Sequence, residues 1–223
     1  MAEYKGKRLS RRSAIKIGVL ATAGLALGLP VVKSRPALAE SASDGGKLKQ
    51  LGFLYDQSKC VGCHSCERAC KSTNNWEKGV EWRKLLTKIT PTEEEIFLSI
   101  SCNHCADPSC VKVCPVGAYQ KRAKDGIVVH DSTKCVGCGY CLYACPYHAP
   151  MLGKETGAVS KCSFCYQRQD NGEKPACTSA CKTKALTYGD MAELSKTVGA
   201  TPRVMNLPSP DLTKPSFVFI PKE

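Results

Sequence analysis

Cys135-Val-Gly-Cys138-Gly-Tyr-Cys141-Leu-Tyr-Ala-Cys145-Pro146 is the stretch that decides how this chain folds. Its spacing, C-x2-C-x2-C-x3-C-P, lets three thiolates cap three irons of one cubane cluster, while the fourth, held before a proline, reaches a second cubane. A near copy lies upstream, Cys60-Val-Gly-Cys63-His-Ser-Cys66-Glu-Arg-Ala-Cys70. Two variants complete the set: Cys102-x2-Cys105-x4-Cys110-x3-Cys114, followed by Pro115, and Cys162-x2-Cys165-x11-Cys177-x3-Cys181. In chain order these are motifs one (60–70), two (102–114), three (135–145) and four (162–181). They use all 16 cysteines. At four thiolates per cubane the set specifies four [4Fe–4S] clusters.

Two other uses of cysteine fit less well. Zinc takes four-cysteine sites built from two C-x2-C pairs and has no need of a third cysteine two residues on. A disulfide framework suits an even number of cysteines in an exported chain, but C-x2-C-x2-C runs are poor at forming one. With 223 residues and much of its apolar content in cysteine, the chain is expected to build its core around the clusters. Metal binding then contributes folding energy.

The formal charge of +12 is deceptive. Residues 1–39 hold eight Lys and Arg against one Glu, and the remainder keeps 24 basic and 19 acidic residues, a net of +5. Each oxidised cubane held by four thiolates carries about −2, so four of them bring the remainder to about −3. The basic excess offsets cluster charge. No basic and aromatic platform stands outside the motifs, so nucleic-acid binding is not expected.

The N-terminus carries Arg11-Arg12, an apolar Gly- and Ala-rich run from Ile17 to Leu29, and Ala37-Leu38-Ala39. This reads as a twin-arginine signal peptide, 1–39, cleaved after Ala39. That route exports proteins already folded around their cofactors. It predicts a periplasmic location, or one on the outer face of the cytoplasmic membrane, and it too argues against disulfides. Beyond residue 39 no stretch approaches the roughly 18 apolar residues of a spanning helix, so the mature chain is expected not to cross a membrane.

Short strands are expected at Leu51–Tyr55, Ile96–Ile100, Ile127–His130 and Ala185–Gly189, with a hairpin turn at Asp125-Gly126 and turns at Gly153 and Gly157. Residues 71–101 are an insertion whose Trp76 and Trp82 pack in the core, cover a cluster or pack at a partner surface. Residues 166–176 read as a polar loop. Five prolines in 190–223 predict an extended, partner-binding tail lying on a neighbouring surface. Lys71 and Lys182 follow the last cysteines of motifs one and four, where the inner motifs have proline. They either raise a cluster potential or face solvent. His64, His104, His130 and His148 are read as surface or packing residues, since the cysteines already satisfy four cubanes.

In a two-cluster ferredoxin each cubane takes three cysteines from one motif and the last from the other. Motifs two and three flank the Asp125-Gly126 hairpin and form one such unit, residues 96–150. Motifs one and four pair around it. Cluster A then takes Cys60, Cys63, Cys66 and Cys181; cluster B takes Cys162, Cys165, Cys177 and Cys70; cluster C takes Cys102, Cys105, Cys110 and Cys145; cluster D takes Cys135, Cys138, Cys141 and Cys114. The alternative pairs motif one with two and three with four. Cys70 beside Cys177 supports the first pairing, and Cys70 beside Cys105 the second. The expected fold is α+β: tandem bacterial-ferredoxin-like units over residues 51–189, one nested in the other, with small irregular elements around the clusters.

From about residue 51 to 219 the chain resembles the four-cluster iron–sulfur subunit of dimethyl sulfoxide reductase and its relatives. The resemblance rests on the order and spacing of the four motifs, on SCNHCADPSC at 101–110, on Cys145-Pro-Tyr147, and on LPSPDLTKP at 207–215. It implies an electron-transfer subunit with no active site of its own. Its partners would be a molybdopterin catalytic subunit and an integral membrane quinone-reactive anchor. Some relatives replace one motif-three cysteine with tryptophan and hold a [3Fe–4S] cluster there; Cys138 is present, so four cubanes are expected. The alternative is the iron–sulfur subunit of a formate dehydrogenase, a nitrite, thiosulfate or polysulfide reductase, or a hydrogenase complex.

Overall fold

A computed structural model describes residues 49–89, 93–204 and 207–222. The predicted leader, 1–39, lies outside the described residues. Strand β1 (Leu51–Asp56) is buried along its whole length. A strand covered on both faces needs an unbroken apolar run rather than alternation, and Leu51-Gly-Phe-Leu-Tyr55 supplies one. It is the middle strand of three. β8 (Leu186–Asp190) pairs with it antiparallel, Phe53 opposite Tyr188. β9 (Phe217–Ile220) pairs with it parallel, Phe53 opposite Phe217. Phe53, Tyr55, Phe164, Leu186, Phe217 and Phe219 form the centre of the largest core cluster.

The remaining elements are short. Helix α1 (Ser65–Asn74) packs on α5 (Ala176–Ser179), and α2 (Ser109–Lys112) packs on α3 (Tyr140–Ala144). Between the latter two, β4 (Tyr119–Lys121) and β5 (Val128–His130) form the hairpin expected at Asp125-Gly126. The Asp125 carboxylate accepts the Ile127 N–H at 3.1 Å and Gly126 takes φ of 68°. β6 (Met151–Leu152) and β7 (Val159–Ser160) pair across the Gly153–Gly157 turn.

Three features go beyond what the sequence predicts. The 71–101 insertion is a full hairpin, β2 (Arg83–Ile89) against β3 (Glu95–Ser101), of which the sequence predicts only the second strand. The polar loop after Cys165 begins with a short helix, α4 (Tyr166–Asp170). The tail departs most. Rather than staying extended throughout, it begins with helix α6 (Met191–Leu194) and ends as β9, where Phe217, Val218 and Phe219 are buried. Between them, residues 213–216 strap motif two: Ala106 N–H donates to Lys214 O (2.7 Å), Asp107 N–H to Thr213 O (3.0 Å) and Ser216 N–H to Asn103 O (2.9 Å). The prolines allow this because they flank β9, at an edge of the sheet, rather than interrupt it.

Candidate metal centres

The fold gathers the cysteines into four groups of four. Cys60 and Cys63 come from the loop leading into α1 and Cys66 from its first turn, and the three line a cavity with Cys181, Tyr55, Leu85 and Ser99. Cys102, Cys105, Cys110 and Cys145 line a second with His104, Tyr147 and Thr213. Cys114, Cys135, Cys138 and Cys141 line a third with Tyr119 and His130. In the fourth group Cys70, Cys162, Cys165 and Cys177 are all buried, and the electrostatic neighbours of Cys70 are Cys162, Cys177 and Cys165. Asn74, one turn beyond Cys70, sets its side-chain nitrogen 3.7 Å from Cys70 Sγ and 4.0 Å from Cys165 Sγ. Cys70 therefore stands with Cys177 and not with Cys105.

Helix geometry explains why one motif serves two groups. Cys66 and Cys70 lie one turn apart on α1, and Cys141 and Cys145 lie one turn apart at the end of α3. Side chains at i and i+4 share a helix face but are displaced along it, so one helix feeds two neighbouring cavities. The groups follow one another in space. Cys162 has Cys102 among its electrostatic neighbours, and Tyr119 has Cys141, Cys110 and Cys102.

Backbone N–H groups point at sulfur. Ala118 N lies 3.2 Å from Cys114 Sγ, Leu186 N 3.3 Å from Cys181 Sγ, Val159 N 3.4 Å from Cys135 Sγ and Phe164 N 3.4 Å from Cys162 Sγ. Such donors stabilise thiolate charge. In the Cys-Val-Gly-Cys loops of motifs one and three, Gly62 and Gly137 take φ of 69° and 66°. A Cβ at Gly62 would fall 2.4 Å from the Phe97 ring, and one at Gly137 2.4 Å from Gly157 O.

Among the described residues no three or more His, Cys, Asp or Glu side chains converge tightly enough to hold a single metal ion. The thiols instead surround spaces, as a cubane requires. The buried polar atoms support this fit. Six of them, among the described residues, lack a hydrogen-bond partner: His104 Nε2, Tyr147 OH, Thr213 Oγ1, Tyr119 OH, His130 Nε2 and Arg83 Nε. The first three lie on the Cys102 cavity, and Tyr119 and His130 lie on the Cys138 cavity. Arg83 sits among Cys177, Cys162, Cys70 and Cys66. Buried donors without acceptors are costly, and a sulfide-bearing cluster supplies acceptors. Several of the buried thiols are held protonated in the bare protein. Burial, reinforced by neighbouring cysteines, pushes Cys110 and Cys162 up to about 12 and Cys105 to about 11. To hold a cluster these cysteines would have to give up those protons, which makes loading pH-dependent.

The other residues singled out in the sequence have structural or surface roles. His64 is exposed and pairs with Glu67 at 2.7 Å, and His148 is exposed. His104 is fully buried; its Nδ1 accepts the Val128 N–H at 3.1 Å, which leaves the ring proton on Nε2, and burial keeps it neutral. Lys71 and Lys182 face solvent. Trp76 is buried beside Cys70 and donates to its carbonyl at 3.1 Å, so it both packs the core and fixes a cysteine. Two buried cations escape a reading of the sequence alone. Lys161, flanking Cys162, is held by the carbonyls of Val128 and Cys162. Arg83 opens β2 and is 1% exposed.

Four four-cysteine cages joined through shared helices define a multi-cluster iron–sulfur electron carrier. A family model described as a 4Fe-4S dicluster domain matches residues 94–191. A subunit of the anaerobic dimethyl sulfoxide reductase of Escherichia coli (strain K12) is 42% identical over 183 residues, covering 77% of this chain and 89% of the relative. The formate dehydrogenase iron-sulfur subunit of Wolinella succinogenes is 40% identical over 64% of this chain and 82% of the relative. The thiosulfate reductase electron transfer subunit of Salmonella typhi is 39% identical over 67% of this chain and 82% of the relative. The chain belongs to this family of iron–sulfur subunits of anaerobic oxidoreductases, of which the dimethyl sulfoxide reductase subunit is also a member. It is an electron-transfer subunit, its cofactors are four [4Fe–4S] clusters, and catalysis is the task of other subunits.

Proposed function

We propose that the four cysteine groups hold the four clusters as Cys60, Cys63, Cys66 and Cys181; Cys70, Cys162, Cys165 and Cys177; Cys102, Cys105, Cys110 and Cys145; and Cys114, Cys135, Cys138 and Cys141. On this reading the fold is a tandem of ferredoxin-like units, motifs two and three nested within motifs one and four. The pairings of α1 with α5 and α2 with α3 support that reading. When bound, each cluster accepts and releases one electron. The protein's part is to hold the sites in series, to keep water from the inner two, and to set each potential through N–H donors, burial and charge.

The observation that carries this reading is the order of the groups. They run A, B, C, D, and the two ends carry the exposed cysteines, Cys63 and Cys138. Val61 stands exposed beside one end, and Val136, Tyr140 and Tyr143 beside the other. The chain then relays single electrons between a membrane quinone-reactive subunit and a molybdopterin catalytic subunit, in a complex of the dimethyl sulfoxide reductase type. A formate, thiosulfate or tetrathionate complex is the second reading, favoured by relatives of those names at 36–40% identity. Twin-arginine export with cleavage after Ala39 would put it in the periplasm or on the outer face of the cytoplasmic membrane. Purification of the native complex tests all of this. Four one-electron signals by EPR, molybdenum in a co-purifying large subunit, turnover of sulfoxide rather than formate or thiosulfate, and a mature N-terminus at Glu40 are expected. A complex with no second subunit, or a mature chain starting at Met1, counts against the respective part.

A further inference from the structure

Arg83 is a buried cation with no carboxylate to answer it. Its guanidinium, which cannot shed its charge at any ordinary pH, donates to Ser99 Oγ at 3.0 Å and Ser101 Oγ at 2.8 Å and lies 4.7 Å from the Phe53 ring centroid. Among the ion pairs of the described residues Arg83 takes part in none. A guanidinium taken out of water this way costs several kcal/mol unless opposite charge meets it. The groups that meet it are cysteine sulfurs, which carry negative charge once they ligate a cluster. Cys177, Cys162 and Cys70 belong to one group and Cys66 to the next, and these four are the groups that support the cation against its burial.

The contacts are directional. Ser99 is fully buried, and its Oγ lies 3.5 Å from Cys66 Sγ. Because Arg83 donates into Ser99 Oγ, the hydroxyl proton is free to point at Cys66 sulfur. Arg83 Nε keeps an unused N–H. The hairpin β2–β3 fixes all of this, since Arg83 stands opposite Ser101 and Leu85 opposite Ser99 in its register. The insertion between motifs one and two is thus the carrier of one buried charge.

We propose that Arg83 is a positioning residue shared by the first two cluster sites, holding both at a higher reduction potential than the cysteine cages alone would set. It reaches the Cys66 site through Ser99 and the Cys70, Cys162 and Cys177 site by its charge and free N–H. Added electrons make a cluster more negative, so a fixed cation and donors to sulfur stabilise the reduced form and raise the potential. This inference rests on the cluster grouping proposed above.

The test is an EPR-monitored redox titration of the assembled complex carrying Arg83→Gln, Arg83→Lys or Ser99→Ala. Arg83→Gln is expected to lower two of the four one-electron waves and leave the other two in place. Ser99→Ala is expected to lower one of those same two, by less. Arg83→Lys, which keeps the charge but not the fork, is expected to recover part of both. Four unmoved waves in Arg83→Gln overturn the proposal. So does an equal drop in all four, an Arg83→Lys drop as large as that of Arg83→Gln, or a Ser99→Ala shift in a wave Arg83→Gln leaves alone. Where Arg83→Gln fails to assemble four clusters, Ser99→Ala decides: one lowered wave supports the proposal and none overturns it. Fewer than four clusters in the unaltered complex would instead refute the grouping, whatever the variants do.

Discussion

Gly137 and Gly139 flank Cys138 with φ of 66° and 77°, yet their surroundings differ. Gly139 has open space where a Cβ would go, whereas at Gly137 the Cβ would stand 2.4 Å from the carbonyl oxygen of Gly157. Gly139→Ala should therefore cost only the left-handed penalty of about 1–2 kcal/mol. Gly137→Ala adds a backbone collision and should exceed it, releasing the cluster at Cys138 first. Denaturant titration followed by cluster absorbance and EPR reads both, and equal losses in the two variants would count against a collision at Gly157. At this scale the sequence is most legible where spacing alone sets chemistry. Sixteen cysteines at fixed offsets declare their ligand at once. Arg83, Lys161 and His104 carry no such signature, because a cation or imidazole is ordinary until its burial is known. Only the fold shows that β2 points Arg83 inward, among cysteines from distant parts of the chain.

Among the elements, β1, β3, β8 and the β4–β5 hairpin are visible as short apolar runs beside turn residues. β2 is hidden because Arg83-Lys-Leu-Leu-Thr-Lys-Ile mixes polar and apolar residues, with only Arg83 and Leu85 buried. β9 is hidden by its setting. Phe217-Val-Phe-Ile220 is a strand in composition, but prolines on both sides make the segment read as irregular. Its burial makes a sharp prediction. Phe217, Val218 and Phe219 each contribute about 1.5–3 kcal/mol by leaving water, and their loss also uncovers the edge of β1. Truncation after Lys214 should thus abolish the folded, cluster-bearing chain, and Phe217→Ala should cost about 3–5 kcal/mol. If the tail served only to grip a partner, the truncated chain would keep four clusters and lose only co-purification. Iron content and partner capture, measured on the same preparation, separate the two outcomes.

For the whole molecule, the pairing of motifs is an open choice in the sequence. Local spacing says which three cysteines act together but not which distant one completes the set. The packing of α1 on α5 brings Cys70 to Cys177, a contact made by residues over a hundred positions apart. On the proposed grouping the sites form a single file, because α1 links the first group to the second, Cys162 neighbours Cys102 between the second and third, and α3 links the third to the fourth. A single file has no detour. Cys165 is buried, Asn74 approaches its sulfur, and its group stands second in the file. Cys165→Ser should remove or convert one cluster in four. In a complex of the proposed type it should abolish quinol-linked turnover while leaving turnover driven by a small reduced dye that reaches the proposed catalytic subunit directly. Steady-state rates with the two donors, beside an EPR count of the remaining clusters, measure this. Substantial quinol-linked turnover with that cluster absent would show that electrons pass around the second site, and the serial order would have to be given up.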